Sequence, residues 1–225
     1  MPKRDSGLIK LWFEKKQGSG APAQGSGLTG PRVPRNSSGW ATLRKRLQAE
    51  SGLRVIDIGY TSPTNINYLT SLGHSVFMAD LVQDAAKGEW QSGTDDEGNP
   101  IWNVQKFMDS TFNFGGRTFD VVLLWTALDY LPEPFVVPVV EHLSESMNPG
   151  GSVLSFFHMK TQGEGTAYCR FHITEGDQVE MQQQAEQFPI QRAFTNRSIE
   201  RLFAGWSGHR QFLAKDSLSE VIMTR

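Results

Sequence analysis

The sequence predicts an α/β domain: a doubly wound, mostly parallel seven-stranded sheet with helices on both faces and an antiparallel C-terminal hairpin strand. Three observations predict it. Strand-like apolar runs alternate with segments of helical period. Several of those runs, such as residues 119–125 (FDVVLLW), are apolar on both faces, as in a sheet covered by helices on both sides. The runs also end in acidic or small polar residues, where an open parallel sheet binds its ligands.

The elements follow in order. Residues 1–38 read as a flexible N-terminal tail and linker, because 17–38 (QGSGAPAQGSGLTGPRVPRNSS) are dominated by Gly, Ser, Pro and Ala. Within the tail, residues 7–16 (GLIKLWFEKK) can place Leu8, Leu11, Trp12 and Phe13 on one helical face beside Lys10, Lys15 and Lys16. That segment reads as a tail docked on the parent domain, or as an anchor for a partner or a membrane surface. The domain itself is placed at 39–225. Trp40, Leu43 and Leu47 recur at helical spacing, and Ser51-Gly52 end that helix. A first strand covers 53–59 (LRVIDIG). A helix follows, with Ser62 as N-cap, Pro63 in the first turn and Gly73 as the stop.

A second strand ends at Asp80, and a weaker third, WNVQKFMD, ends at Asp109. The fourth is 119–125. A helix is expected to begin near Pro138, since proline suits a first turn. Asn148-Pro149-Gly150-Gly151 then turn into a fifth strand ending at His158. Residues 159–197 break the alternation and read as a lid-like excursion over the strand tips. A helix around Ile199 and two strands joined near Asp216 complete the sheet; the short turn makes them antiparallel.

Composition narrows the function. The formal net charge is −2 across 225 residues, which gives no overall field toward nucleic acid. One cysteine, Cys169, excludes an intrachain disulfide and fits the cytoplasm. The five histidines are scattered, so no metal site is expected. No apolar run reaches the roughly 18 residues of a membrane span.

The strand ends supply the candidate chemistry. Asp80 lies 23 residues after Asp57, one strand–helix–strand unit away. A carboxylate there can accept hydrogen bonds from both hydroxyls of a ribose. Val55-Ile56-Asp57-Ile58-Gly59 followed by Asp80 resembles motif I and the ribose-binding acid of class I, Rossmann-like S-adenosylmethionine-dependent methyltransferases. Phe107-Met108-Asp109-Ser110 is similar to their adenine-contacting segment. Residues 119–125 resemble their fourth strand, 148–154 the turn into their fifth, and the C-terminal helix and hairpin their ending.

The resemblance implies S-adenosylmethionine as cofactor, held by Asp57, Gly59, Tyr60, Asp80, Leu81, Asp109, Ser110 and Trp125. His158, directly after the fifth strand, is the candidate general base. Tyr130, Tyr168, Arg170 and His172 are the candidate acceptor contacts, and the lid-sized excursion suits a small-molecule acceptor. Plainer roles are open to the same residues: backbone capping for Asp57, Asp80 and Asp109, a core position for Trp125, a surface position for His158, and, because residues 167–173 (AYCRFHI) alternate with period 2, the solvated face of an edge strand for Tyr168, Arg170 and His172. Thr61 and Pro63 stand where the family carries glycine. Pro63 removes an N–H donor from a helix start that would otherwise hold a pyrophosphate, which disfavours nicotinamide cofactors. The same departure supports the competing reading, a non-catalytic binding or scaffold module with the methyltransferase fold.

Overall fold

The computed structural model describes residues 30–87, 89–163, 165–212 and 216–225. The amphipathic stretch 7–16 lies outside them. The main sheet is built from β2 (Arg54–Ile58), β3 (Ser75–Ala79), β6 (Phe119–Trp125), β7 (Met147–His158), β10 (Gly208–Phe212) and β11 (Leu218–Thr224). Their order is β10-β11-β7-β6-β2-β3. Strands β3, β2, β6 and β7 pair in parallel, with Asp57 opposite Met78 and Leu123. Strand β11 runs antiparallel to both of its neighbours, β7 and β10. The sheet is therefore mixed, with the reversed strand inserted second from the edge.

The sheet has six strands, not the seven expected. Residues 102–109 account for the difference: Val104–Thr111 form a helix, α4, instead of an edge strand. The Asn103 side chain accepts from the Lys106 N–H at 3.0 Å, a cap that commits the segment to a helical turn. Phe107 then points inward and is fully buried. Two short strands, β4 (Gln91–Thr94) and β5 (Pro100–Trp102), precede it as an isolated hairpin.

The layers follow the expected pattern. Helices α1 (Ser38–Ala49) and α2 (Pro63–Ser71) cover one face, where Trp40, Leu43, Leu47 and Leu69 meet Val55, Val121 and Leu123. Ser62 caps α2 through its side chain, Pro63 sits in the first turn and Gly73 follows with φ +85°. The opposite face is covered by α3 (Leu81–Ala86), α4, α5 (Ala127–Tyr130), α6 (Glu133–Glu145) and α7 (Asn196–Leu202). Their buried side chains include Leu81, Phe107, Leu128, Phe135 and Ile199. Helix α6 begins five residues before the expected Pro138, which lies inside it. Pro134 is the first-turn proline, and Pro138 forgoes one backbone bond on the partly exposed side.

A second sheet has the order β1-β9-β8. Strands β8 (Cys169–Ile173) and β9 (Gln178–Gln183) come from the excursion, and β1 is Arg32–Asn36. Residues 32–36 were expected to be linker, yet they pair along their whole length with β9. The reason is Arg35. Its guanidinium is buried and bonds Glu220 on β11, and its Nη2 reaches Asp216 at 3.1 Å. Glu220, only 2% exposed, also accepts from Ser37 Oγ at 2.9 Å and Gly39 N at 2.7 Å. Composition conceals this, because the anchoring residue is one charged side chain within a Pro- and Ser-rich stretch.

Arg35→Ala leaves Glu220 buried without its countercharge and is expected to cost about 3–5 kcal/mol. Arg32→Ala breaks the surface pair with Glu180, 3.2 Å long, and is expected to cost less than about 1 kcal/mol. Urea unfolding of the two variants tests the contrast; equal costs would show that Arg35 is not the anchor.

Candidate functional site

The chain leaves β2 toward β3 on one side and later returns to β6 on the other. The switch point therefore lies at the carboxyl ends of β2 and β6, where open α/β sheets bind ligands. Ile58, Gly59, Tyr60, Trp125, Thr126 and Ala127 border this crevice from the main sheet. Tyr168, Cys169 and Phe171 border it from the small sheet.

Asp57 lies beneath the crevice, 3% exposed among the apolar residues of the α1/α2 face. Trp125 Nε1 donates to its Oδ1 at 2.6 Å, and Asn65 Nδ2 donates to its Oδ2 at 2.8 Å. Burial raises the carboxyl to about 6, opposed by these two donors. Trp125 reaches it from a left-handed backbone, φ 48°, costly for a residue with a Cβ. Its indole also stacks on Phe171, centroids 5.0 Å apart and planes 3° from parallel. Asn65 extends the connection into β8: it donates to Phe171 O at 3.1 Å and accepts from Ile173 N at 2.8 Å.

Asp80 ends β3 and caps α3, accepting from Gln83 N at 3.2 Å. Burial, with the negative charge of Asp80 nearby, holds the Tyr168 phenol well above the usual tyrosine range. The Tyr168 ring is 3% exposed. It packs on Tyr60 (5.7 Å between centroids), Tyr130 (4.9 Å) and Phe188 (5.0 Å). Tyr60 donates to Glu186 at 3.1 Å, and the Arg170 guanidinium lies 5.5 Å over its ring. Together these groups close the crevice to about 10 Å³, the room of a single water. A ligand the size of S-adenosylmethionine needs some hundreds of cubic ångströms. The crevice in this conformation does not admit a molecule of that size.

A second polar group lies behind Tyr168. Asp129, fully buried on α5, accepts from the His158 backbone N–H at 2.7 Å and from His158 Nδ1 at 2.6 Å, both on Oδ2. Its Oδ1 has no hydrogen-bond partner. Burial raises this carboxyl to about 6, against the lowering effect of His158. With Nδ1 donating, His158 presents Nε2 as the basic nitrogen. The Tyr130 hydroxyl, beside Thr126, is likewise buried with no partner in good geometry.

The predicted site residues divide accordingly. Gly59, Tyr60, Asp80, Trp125, Tyr130, Tyr168 and Arg170 gather at or behind the crevice, and Asp57 and His158 support it from below. Leu81 is fully buried in the core. Asp109 and Ser110 sit on α4, not at a strand tip; Asp109 bonds Gln105 at 2.8 Å. Asp109 lines a separate groove of about 560 Å³ with Phe112, Pro138, Glu141 and His142. His172 is buried between Ser62 Oγ (2.8 Å) and Gln182 Oε1 (3.0 Å), which makes it a brace between α2 and β9. Sequence reasoning missed Asn65 and Asp129. Asp129 left a signal, as the lone acid interrupting the apolar run 121–131; Asn65 left none.

No family model matches the chain, and no curated protein matches it. Among solved structures it is similar to a SAM-dependent methyltransferase from Methanosarcina mazei at 15% identity, covering 80% of this chain and 96% of that one, with TM-score 0.48. It is also similar to 1,6-didemethyltoxoflavin-N1-methyltransferase from Burkholderia thailandensis, at 16% identity, 84% and 77% coverage and TM-score 0.43. A third is TehB from Haemophilus influenzae, at 13% identity and TM-score 0.45; the chain spans 62% of its length.

Asp57 supplies a pH test. Its folded value lies above its unfolded one, so the associated stability is present below about pH 4 and is lost as pH rises toward 6. Asp57→Asn cannot titrate. The unfolding free energy of wild type minus that of Asp57→Asn should therefore fall between pH 4 and 6, by on the order of 3 kcal/mol. Urea melts at pH 4, 5, 6 and 7 measure it; a difference that is flat or rises with pH would contradict a buried, desolvated carboxyl.

Proposed function

We propose that this chain is an S-adenosylmethionine-dependent methyltransferase acting on a small protic acceptor. In this reading the cofactor lies across the tips of β2, β3 and β6, and the sole cysteine of the sequence fits a cytoplasmic address. The observation that carries the reading is Asp80. It ends β3, the strand beside β2, one unit after the Gly59 tip, and its charge acts on Tyr60 and Tyr168, two residues that border the crevice. The inserted antiparallel β11 supports it, as the ending expected from the sequence resemblance.

The chain's own residues define three tasks. Asp80 accepts hydroxyl donors. Asp129 holds His158 with Nδ1 protonated, which leaves Nε2 able to take a proton from a hydroxyl or a similar acid. Tyr168, Phe171 and Trp125 exclude water from the tips of β2 and β6, the condition under which a charged methyl donor is not lost to solvent. The closed crevice favours a second reading, a methyltransferase-fold module without turnover. Both readings share the architecture and differ in whether the crevice admits a ligand.

Titration calorimetry with S-adenosylhomocysteine separates them. The first reading expects saturable binding, weakened in Asp80→Asn but by less than the roughly 10- to 150-fold that complete loss of charge-assisted bonds to the ribose would cost, since the amide keeps one acceptor oxygen. Asparagine caps a helix about as well as aspartate, so the melting temperature of the unliganded variant should hardly move. No binding to wild type at millimolar ligand would establish the second reading.

A further inference from the structure

We propose that His172 is a proton-sensitive catch between the two walls of the crevice: neutral, with its proton on Nε2, it fastens residues 59–62 to the small sheet, and a second proton releases them. The inference does not depend on which ligand enters.

The hydrogen bonds fix the state of the imidazole. Gln182 Nε2 donates to the Gly30 carbonyl at 3.0 Å, and a carbonyl can only accept. Gln182 therefore turns Oε1 toward His172 Nε2, 3.0 Å away, so Nε2 carries the proton. Nδ1 is left as an acceptor, and Ser62 Oγ, 2.8 Å from it, donates. The same Oγ accepts from Asn65 N at 3.2 Å, which caps α2. A second proton would sit on Nδ1 and face an oxygen that already accepts from Asn65. The Ser62 hydroxyl proton would then lose its acceptor inside the protein.

The catch joins the walls. Gly59 and Tyr60 border the crevice just before Ser62, and Phe171 borders it just before His172. The surroundings oppose the second proton. Burial above all, with Arg32 on β1 and Arg170 on β8, pulls the imidazole below its ordinary value, against Gln182 and Glu180. Glu180 on β9 is itself paired with Arg32 at 3.2 Å. Toward the main sheet the connected acid is Asp57, reached through Asn65. The contribution of the neutral ring is present above about pH 6.5 and is lost as pH falls below it. Asp57 runs the other way, since its contribution grows on acidification.

The test uses the full chain without ligand. Imidazole nitrogen NMR reads the tautomer and the titration of His172, whose signal is identified by its loss in His172→Asn or His172→Gln. Amide hydrogen exchange of residues 59–66 and 168–173, corrected for its intrinsic pH dependence, reads the catch. Asparagine keeps an acceptor for Ser62 and does not titrate. Gln182→Glu keeps the shape, puts an anion beside Nε2 and favours the doubly protonated ring.

At pH 7.5 the proton should be on Nε2. As pH falls to 4.5, titration of His172 should bring about a tenfold loss of protection in both segments, as for one hydrogen bond. The loss should be insensitive to low urea, as local opening is. His172→Asn should show no such loss, and Gln182→Glu should move it to higher pH. The wild-type readings stand alone should His172→Asn fail to fold. A proton on Nδ1 at pH 7.5, no titration down to pH 4.5, protection that outlasts the titration, the same acid loss in His172→Asn, or an unshifted loss in Gln182→Glu would overturn the catch.

Discussion

The site depends on one buried carboxylate. Asp57 is 3% exposed in a layer built mainly of apolar side chains, and an uncompensated charge there is costly. Its two oxygens are each met by a side-chain N–H, from Trp125 on β6 and from Asn65 on α2. Charge-assisted bonds of this kind contribute about 1.5–3 kcal/mol each. The left-handed backbone at Trp125 costs about 1–2 kcal/mol, so one such bond plus the stack on Phe171 is enough to hold it. Take the carboxylate away and three things lose their reason at once: the turn at the tip of β6, the orientation of the indole, and the asparagine that seats β8. The small sheet is thus fixed over the switch point by a group that belongs to the main one.

The strand–helix alternation and the strand ends were legible because they follow from local periodicity and capping. Ser62, Pro63 and Gly73 stand where their chemistry places them, and Asp80 does end its strand. The segment at 102–109 misled because Trp102, Val104, Phe107 and Met108 satisfy a strand about as well as a helix. The side chain of Asn103 decides it, through one hydrogen bond to Lys106 N. Residues 32–36 misled for a different reason. Their strand exists only because Glu220, far along the chain, has buried an oxygen that needs Arg35, and no window of sequence contains both. The state of the crevice was illegible on the same grounds: alternation put Tyr168 on an outward face, while the turn at 184–188 folds back and covers it.

The two raised carboxyls differ in what they permit. Asp57 has both oxygens occupied, so it can stabilise geometry and do little else. Asp129 spends one oxygen on His158 and leaves the other unpartnered in the interior. Buried polar atoms without partners are uncommon in folded proteins. Asp57 therefore reads as architecture, and the Asp129–His158 pair as capacity held in reserve behind Tyr168.

The Arg35–Glu220 knot has a consequence for how the molecule comes into being. Its partners lie 185 residues apart, and β11, which carries Glu220, is an interior member of the main sheet although it follows β2, β3, β6 and β7 along the chain. On a ribosome, those four strands can begin to pair as they emerge. The small sheet over the crevice cannot be clasped until β11 has followed them. Closure of the crevice therefore waits on one late segment, and a chain cut between β10 and β11 would have nothing to fasten its cover.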